Sequence, residues 1–144
     1  MSDVHNRDHT LDITYELVHE NTVNTFDDEM YIDFEFYEEY KDFIFEEDRK
    51  NDYEFKYKHY LNQQVKIEVP EGFDVSYIPP SIEEKHPNFS FKVSFEQEGN
   101  YIMYHKEISI PAARVKKEDM ELWNSCIEKL QDTYKEQLAF KKQK

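Results

Sequence analysis

Apolar and polar side chains alternate with a period of two along most of the chain. Residues 89–95 show the pattern most clearly, because aromatic and aliphatic side chains there alternate with serine and lysine. Comparable alternation occurs at residues 11–17, 30–36, 53–57, 65–69 and 101–110. One apolar and one polar face is typical of antiparallel strands half-buried on a core. The sequence therefore predicts a mostly β domain of roughly seven antiparallel strands.

The period changes after Pro111. Apolar side chains then recur at steps of three and four residues, which is typical of one stripe of a helix: Met120, Trp123, Ile127, Leu130 and Tyr134. Glu118 and Asp119 precede the stripe and suit the positive end of a helix dipole. We expect a helix at about 117–136. The predicted architecture is an antiparallel β-sandwich, with an Ig-like topology as one option, and one C-terminal α-helix packed on it.

Turn-forming residues are few and confined to the middle of the chain. All five prolines and both glycines lie between Pro70 and Pro111. Pro70 and Gly72 predict the end of a strand and a turn, and Gly99 predicts a hairpin loop at 96–100. The apolar residues of 138–140 could lie extended against the sheet. We expect residues 1–9 to be a disordered lead and residues 10–144 to form a single domain.

The negative charge is concentrated in the first third of the chain. The net charge is −14, and residues 1–54 carry all of it, with 18 acidic against four basic residues. Such a surface repels nucleic acid, and the chain lacks the run of roughly 18 apolar residues that a membrane helix needs. The sequence thus argues against nucleic-acid binding and membrane insertion. These carboxylates either solvate a sheet face or attract a basic partner.

Reactive residue types lack the arrangements that chemistry requires. Cys126 is the single cysteine and falls in the middle of the predicted helix, where a packing role is favoured over a nucleophilic one. His5 and His9 have an i, i+4 spacing but lie in the polar lead. Acidic loops at 24–29 and 46–52 lack the spacing of a calcium loop, so they indicate at most weak calcium binding. We therefore predict no catalytic residue, no metal ligand and no cofactor.

Tyrosines accompany the acidic residues on the predicted polar strand face. An aromatic and acidic surface suits sugars or peptides, although tyrosine also tolerates half-exposed strand positions. The candidate binding surface consists of Tyr31, Asp33, Glu35, Tyr37 and Tyr40.

Several stretches resemble a known bacterial module. The strand ending in "PEGF" at 70–73, the loop and strand "EEDRKNDYEFKY" and the hairpin "NFSFKVSFEQEGNYIMYHKEISIP" occur in the expected order. "KKEDMELWNSCIEKL" and "EQLAFKK" complete it as a closing helix and ending. Over roughly residues 29–144 the chain resembles the C-terminal β domain of unknown function in Bacteroidetes-type transglutaminase-like proteins. In these proteins, an N-terminal domain of unknown function precedes a transglutaminase core.

The resemblance implies an accessory role in a larger protein with a periplasmic or extracellular location. The Cys, His and Asp of the family's catalytic core have no counterparts in this chain, so we expect it not to be an enzyme. Its partner would be a neighbouring domain of the parent chain, or another protein, facing the acidic surface. One alternative is a carbohydrate- or peptide-binding module that uses exposed tyrosines. A weaker alternative is an acidic inhibitor of a basic partner.

Overall fold

The computed structural model describes residues 23–35 and 37–144 of the 144-residue chain. Within this part, ten strands, one 3₁₀ turn and one α-helix follow each other along the sequence. The strands are β1 Val23–Phe26, β2 Glu29–Ile32, β3 Tyr53–Glu54, β4 His59–Glu68, β5 Phe73–Tyr77, β6 Ile82–His86, β7 Phe89–Glu98, β8 Tyr101–Ile110, β9 Arg114–Val115 and β10 Leu138–Lys142. The 3₁₀ turn spans Lys117–Asp119, and the helix α1 spans Met120–Tyr134.

Among the described residues, all strand pairs are antiparallel, and they form three sheets. The first has the order β4-β8-β7-β6, the second has the order β1-β2-β10-β5, and the third is the pair β3-β9. The prediction of a mostly β fold with antiparallel sheets, a sandwich-like arrangement and a single C-terminal helix is confirmed. The strand count among the described residues exceeds the predicted seven because the alternation did not predict β1, β6 and β9.

The core lies between the inward face of the first sheet and the helix. In β8 the alternation predicted from sequence holds along all ten residues, with every second side chain fully buried. Trp123 of α1 is completely buried, packs against Phe89 and Phe91, and donates a hydrogen bond from Nε1 to the carbonyl oxygen of Phe43 at 2.8 Å. The indole thus ties the helix both to the sheet and to the irregular segment before β3.

Several predicted boundaries change in the structure. The strand predicted at 53–57 is only Tyr53–Glu54, and the strand predicted at 65–69 begins at His59 and ends at Glu68. The strand predicted at 30–36 ends at Ile32, because the chain then leaves the sheet and turns Glu35 toward the interior. The loop predicted at 96–100 contains only Gly99 and Asn100, since β7 and β8 continue their pairing up to Glu98 and Tyr101. Gly99 has φ of 60°, a conformation that glycine adopts without a steric cost.

The remaining predictions divide between confirmed elements and residues outside the described part. Gly72, with φ of 85°, makes the turn after β4, and residues 138–142 lie extended as β10. The predicted helix at 117–136 appears as a 3₁₀ turn followed by α1, which ends at Tyr134. The predicted lead at 1–9, including His5 and His9, and the predicted strand at 11–17 lie outside the described residues.

Candidate functional site

The structure does not bring the five predicted surface residues together. Tyr31 lies in β2, and Asp33 just beyond it accepts a hydrogen bond from Gln137 Nε2 at 2.7 Å. Glu35 points inward with only 4% of its side chain exposed, whereas Tyr37 is 57% exposed. The grouping was expected from a continuous strand, and the end of β2 at Ile32 separates its members.

Tyr40 belongs to the aromatic core. Its ring makes edge contacts with Phe43 and Trp123, and its hydroxyl is hydrogen-bonded to His59 Nδ1 at 2.7 Å. Burial, together with the nearby charge of Glu39, raises the pKa of Tyr40 to about 12. A role for these five residues in binding stays a prediction, but Glu35 and Tyr40 are positioned to support structure.

A buried ionic cluster surrounds Lys106, which is fully buried in the centre of β8. Its Nζ lies 2.9 Å from Glu35 Oε1, donates a hydrogen bond to the carbonyl oxygen of Tyr37 at 2.8 Å, and also contacts a carboxylate oxygen of Glu39. A buried ammonium group requires such partners, because burial of an unpaired charge costs several kcal/mol. The cluster therefore fixes Glu35, Tyr37 and Glu39 onto the first sheet.

Two buried tyrosines complete this cluster. Tyr104, on the same strand as Lys106, donates a hydrogen bond to Glu35 Oε2, and Tyr134 of α1 donates one to the carbonyl oxygen of Glu39 at 2.9 Å. Lys106 Nζ lies 5.0 Å from the centre of the Tyr134 ring. Burial raises the pKa of both tyrosines far above the ordinary value, and nearby carboxylates add to the effect. Both hydroxyls are therefore fixed hydrogen-bond donors at neutral pH.

The sequence does contain a signal for this cluster, which is a lysine at an inward-facing position of a strand. Lys106 occupies an inward position of β8, between the buried Tyr104 and Ile108. A lysine on the apolar face of a strand predicts buried acidic partners, because lysine is almost never fully buried unless it is paired. The identity of Glu35 and Glu39 as those partners depends on tertiary structure.

A second group of tyrosines and glutamates lies at the surface of the second sheet. Tyr31 of β2 and Tyr77 of β5 are both register partners of Ala139, which lies on the strand between them. The small alanine side chain leaves an open cleft of about 390 Å³ between the two tyrosines. We call it the tyrosine cleft. It is lined by Glu29, Tyr31, Ser76, Tyr77, Lys135, Glu136, Gln137 and Ala139.

Each tyrosine of the cleft is bonded to a carboxylate. Tyr31 donates a hydrogen bond to Glu29, and Tyr77 donates one to Glu136 Oε2 at 3.0 Å. These hydrogen bonds are the main cause of a raised pKa for both hydroxyls. Within the described part of the chain, neither Glu29 nor Glu136 forms an ion pair. The cleft thus offers two aromatic rings and two carboxylates to a ligand, with the exposed ammonium group of Lys135 at its edge.

The other candidate chemistry is weaker. Cys126 is buried in α1, and burial raises the pKa of its thiol, which makes it a poor nucleophile. A groove of about 660 Å³ lies beside the start of α1 between Phe45 and Met120, and five of its eleven lining residues are glutamates. Across residues 23–35 and 37–144, no three His, Cys, Asp or Glu side chains gather as metal ligands would. The same residues contain no helix that could span a membrane.

Comparisons with known proteins give a fold and a family. A solved structure of a "putative protease" from Parabacteroides distasonis aligns with 67% of this chain with a TM-score of 0.54 and 14% sequence identity, which shows a shared fold. The aligned region spans 19% of that protein, so this chain corresponds to about a fifth of its length. Comparison with curated protein sequences finds no match. The model of the family described as "Domain of Unknown Function with solved-structure structure (DUF3858)" matches residues 28–140, and the chain therefore belongs to this family.

Proposed function

We propose that this domain is a non-catalytic accessory domain of a larger, transglutaminase-like protein, and that it docks a neighbouring domain or a protein partner. The observation that supports docking is the tyrosine cleft, where Glu29 and Glu136 are free of ion pairs among the described residues. The similarity to about a fifth of a much longer bacterial protein favours an accessory position. The transglutaminase-like parent rests on the sequence resemblance alone.

The arrangement of charges in the cleft defines the partner chemistry. A lysine or arginine side chain could pair with Glu29 or Glu136 while its aliphatic part lies against the ring of Tyr31 or Tyr77. Such a contact uses the acidic surplus of the first third of the chain, to which Glu29 belongs. The proposed partner surface is therefore basic, and its attraction to the cleft weakens as salt rises.

The absence of a catalytic role is part of the same proposal. Cys126 is buried with a raised thiol pKa, and the side chains of Lys106 and Glu35 are enclosed by protein. A nucleophile must reach its substrate and be activated by a base. Cys126 instead packs in the core, and Lys106 anchors the segment that follows β2 to the first sheet.

The mass of the endogenous protein tests this proposal first. An accessory domain predicts a product much larger than 17.6 kDa, detected with an antibody raised against this chain. A product near 17.6 kDa would remove the accessory-domain proposal and leave a free-standing binding protein.

Variants of the full-length parent then test the cleft as the docking surface. We expect the Tyr31→Ser/Tyr77→Ser double variant to uncouple the thermal unfolding of this domain from that of its neighbour. The matched control is Tyr57→Ser/Tyr60→Ser, because these tyrosines are 72% and 68% exposed and lie outside the cleft. Equal behaviour of the two double variants would exclude docking through the cleft.

A second candidate is a carbohydrate- or peptide-binding module. The specific observation in its favour is again the spacing of Tyr31 and Tyr77 across Ala139, which leaves a slot between two aromatic rings. Arrays of neutral glycans and of arginine-containing peptides distinguish the ligands, since only the peptides should lose binding at high salt. Neutral glycan binding that the cleft variant abolishes would favour this second function over docking.

An acidic inhibitor of a basic partner, the weaker alternative, would bind a free basic protein as an isolated chain.

A further inference from the structure

The geometry around Lys106 points to a covalent modification: we propose that Lys106 and Glu35 condense to an intramolecular isopeptide bond inside the folded domain. The bond joins the lysine Nζ to the side-chain carbonyl carbon of the glutamate. It would link the centre of β8 to the segment that follows β2. This inference is independent of the proposed docking function.

The first requirement for such a bond is proximity. Lys106 Nζ lies 2.9 Å from Glu35 Oε1, so the amine is in direct contact with the carboxyl group that it would attack. Atoms positioned for reaction are held roughly 3–3.5 Å apart. Both groups are held by the fold, because β8 pairs on both sides and Tyr104 holds the second carboxyl oxygen. Intramolecular reactions between oriented groups reach very high effective concentrations, which favours amide formation over hydrolysis.

The second requirement is exclusion of water. Lys106 is fully buried, and the Glu35 side chain is only 4% exposed. Burial penalises charged groups, so an enclosed site lowers the cost of passing through a neutral amine and a neutral carboxylic acid during the reaction.

The third requirement is a group that moves protons and another that stabilises developing charge. Glu39 contacts the same Nζ and can accept its proton during attack. Tyr104 donates to Glu35 Oε2, where negative charge develops in the tetrahedral intermediate. The Glu39 side chain is 30% exposed, so an amide formed with Glu39 would be less protected from water than one formed with Glu35.

The steps balance as a condensation. A proton passes from Lys106 Nζ to Glu35 Oε1, and the neutral amine then attacks the carboxyl carbon to form the C–N bond. Glu39 takes a second proton from the nitrogen and returns it to Oε1, which leaves as water when the C–O bond breaks. Oε2 becomes the amide carbonyl oxygen and keeps its hydrogen bond from Tyr104. Glu39 and Tyr104 end unchanged.

Intact-mass spectrometry of the purified, denatured chain tests the proposal directly. The expected mass is lower than the sequence mass by one water molecule. After trypsin digestion, the segments containing Glu35 and Lys106 should appear as one branched peptide that is not cleaved after Lys106. A wild-type chain of full sequence mass would overturn the proposal. A water loss that maps to Glu39 or to any other residue would overturn it as well.

Variants separate the roles within the reaction. Lys106→Met removes the nucleophile and Glu35→Ala removes the electrophile, so both should have the full sequence mass. Glu35→Gln is informative because loss of ammonia from glutamine would give the same amide. Glu39→Gln and Tyr104→Phe keep the reacting pair and should slow its appearance after refolding at least tenfold. Unchanged rates in both would contradict the assigned proton transfer and charge stabilisation, while the wild-type mass remains decisive if a variant fails to fold.

Discussion

The molecule contains two groups of tyrosines and glutamates that differ chiefly in burial. Around Lys106, the hydroxyls of Tyr104 and Tyr134 serve an enclosed ionic cluster. In the tyrosine cleft, Tyr31 and Tyr77 bond to glutamates that are open to solvent. The same residue types thus hold a loop in place at one site and offer a surface to a ligand at the other. Burial, rather than residue type, decides the role.

Removal of the buried lysine is the strongest test of this difference. We expect Lys106→Met to lower the free energy of unfolding by about 3–5 kcal/mol, because Glu35 and Glu39 then face each other without Lys106, whether its wild-type contact with Glu35 is ionic or covalent. The measurement is urea unfolding followed by tryptophan fluorescence of the buried Trp123. Lys92→Met on the exposed face of β7 is the matched control, with an expected change within about 0.5 kcal/mol. Equal effects of the two variants would contradict a special role for burial.

Loss of one buried hydroxyl should have an intermediate effect. Tyr104→Phe leaves the buried Oε2 of Glu35 without its donor and should cost about 1–3 kcal/mol. Tyr134→Phe removes a donor to a backbone carbonyl and should cost about 0.5–1.5 kcal/mol. Urea unfolding of both variants against wild type checks the order, and a larger loss for Tyr134→Phe would show that Glu35 does not depend on its tyrosine.

Alkaline pH should separate the two groups without any mutation. The folded pKa values of Tyr104 and Tyr134 lie above the ordinary value of 10.0, so the unfolded chain loses these protons first as the pH rises. Their stabilisation is full below pH 10 and falls above it by up to about 1.4 kcal/mol per pH unit for each tyrosine. The measurement is the unfolding free energy at several values between roughly pH 9 and pH 11.5, which covers the onset of tyrosine ionisation in the unfolded chain. The slope of this free energy against pH is the quantity to compare. Tyr104→Phe should flatten the slope more than Tyr31→Phe, whose hydroxyl lies in the open cleft; the reverse order would refute the comparison.

The exposed cleft should contribute least to stability. Tyr31→Phe and Tyr77→Phe should each change the unfolding free energy by within about 0.5 kcal/mol, because water replaces the lost hydrogen bonds. Thermal unfolding measured by circular dichroism is sufficient for this test. A loss above about 1.5 kcal/mol, the size of a buried charged hydrogen bond, would assign the cleft a structural role instead.

Alternation of side chains predicted most of the fold because it reports burial directly. β8 and α1 appear close to their predicted bounds, and Trp123 is buried as the helical stripe requires. The boundaries fail where long-range contacts intervene. β2 stops at Ile32 because Glu35 is drawn to Lys106, a residue 71 positions later, and no local pattern encodes that pairing.

The candidate site was predictable only in part for the same reason. Tyr31 was expected at a binding surface, and it does line the tyrosine cleft. Its companion Tyr77 was not expected there, because the two tyrosines are brought together by pairing of β2 and β5 with β10. Local sequence assigns a side chain to a face of its strand, but it does not specify which strands become neighbours.

The place of β10 in the second sheet constrains how the domain is made. Leu138–Lys142 lies between β2 and β5, so these two strands cannot become part of one sheet until the last strand of the domain is inserted between them. On the ribosome, residues 23–137 therefore emerge before this sheet can close, whatever their local preferences. Native pairing across such long sequence separations is slow compared with local contacts. The domain is therefore completed only after its synthesis, and a chain that stops before Leu138 would expose two unpaired strand edges.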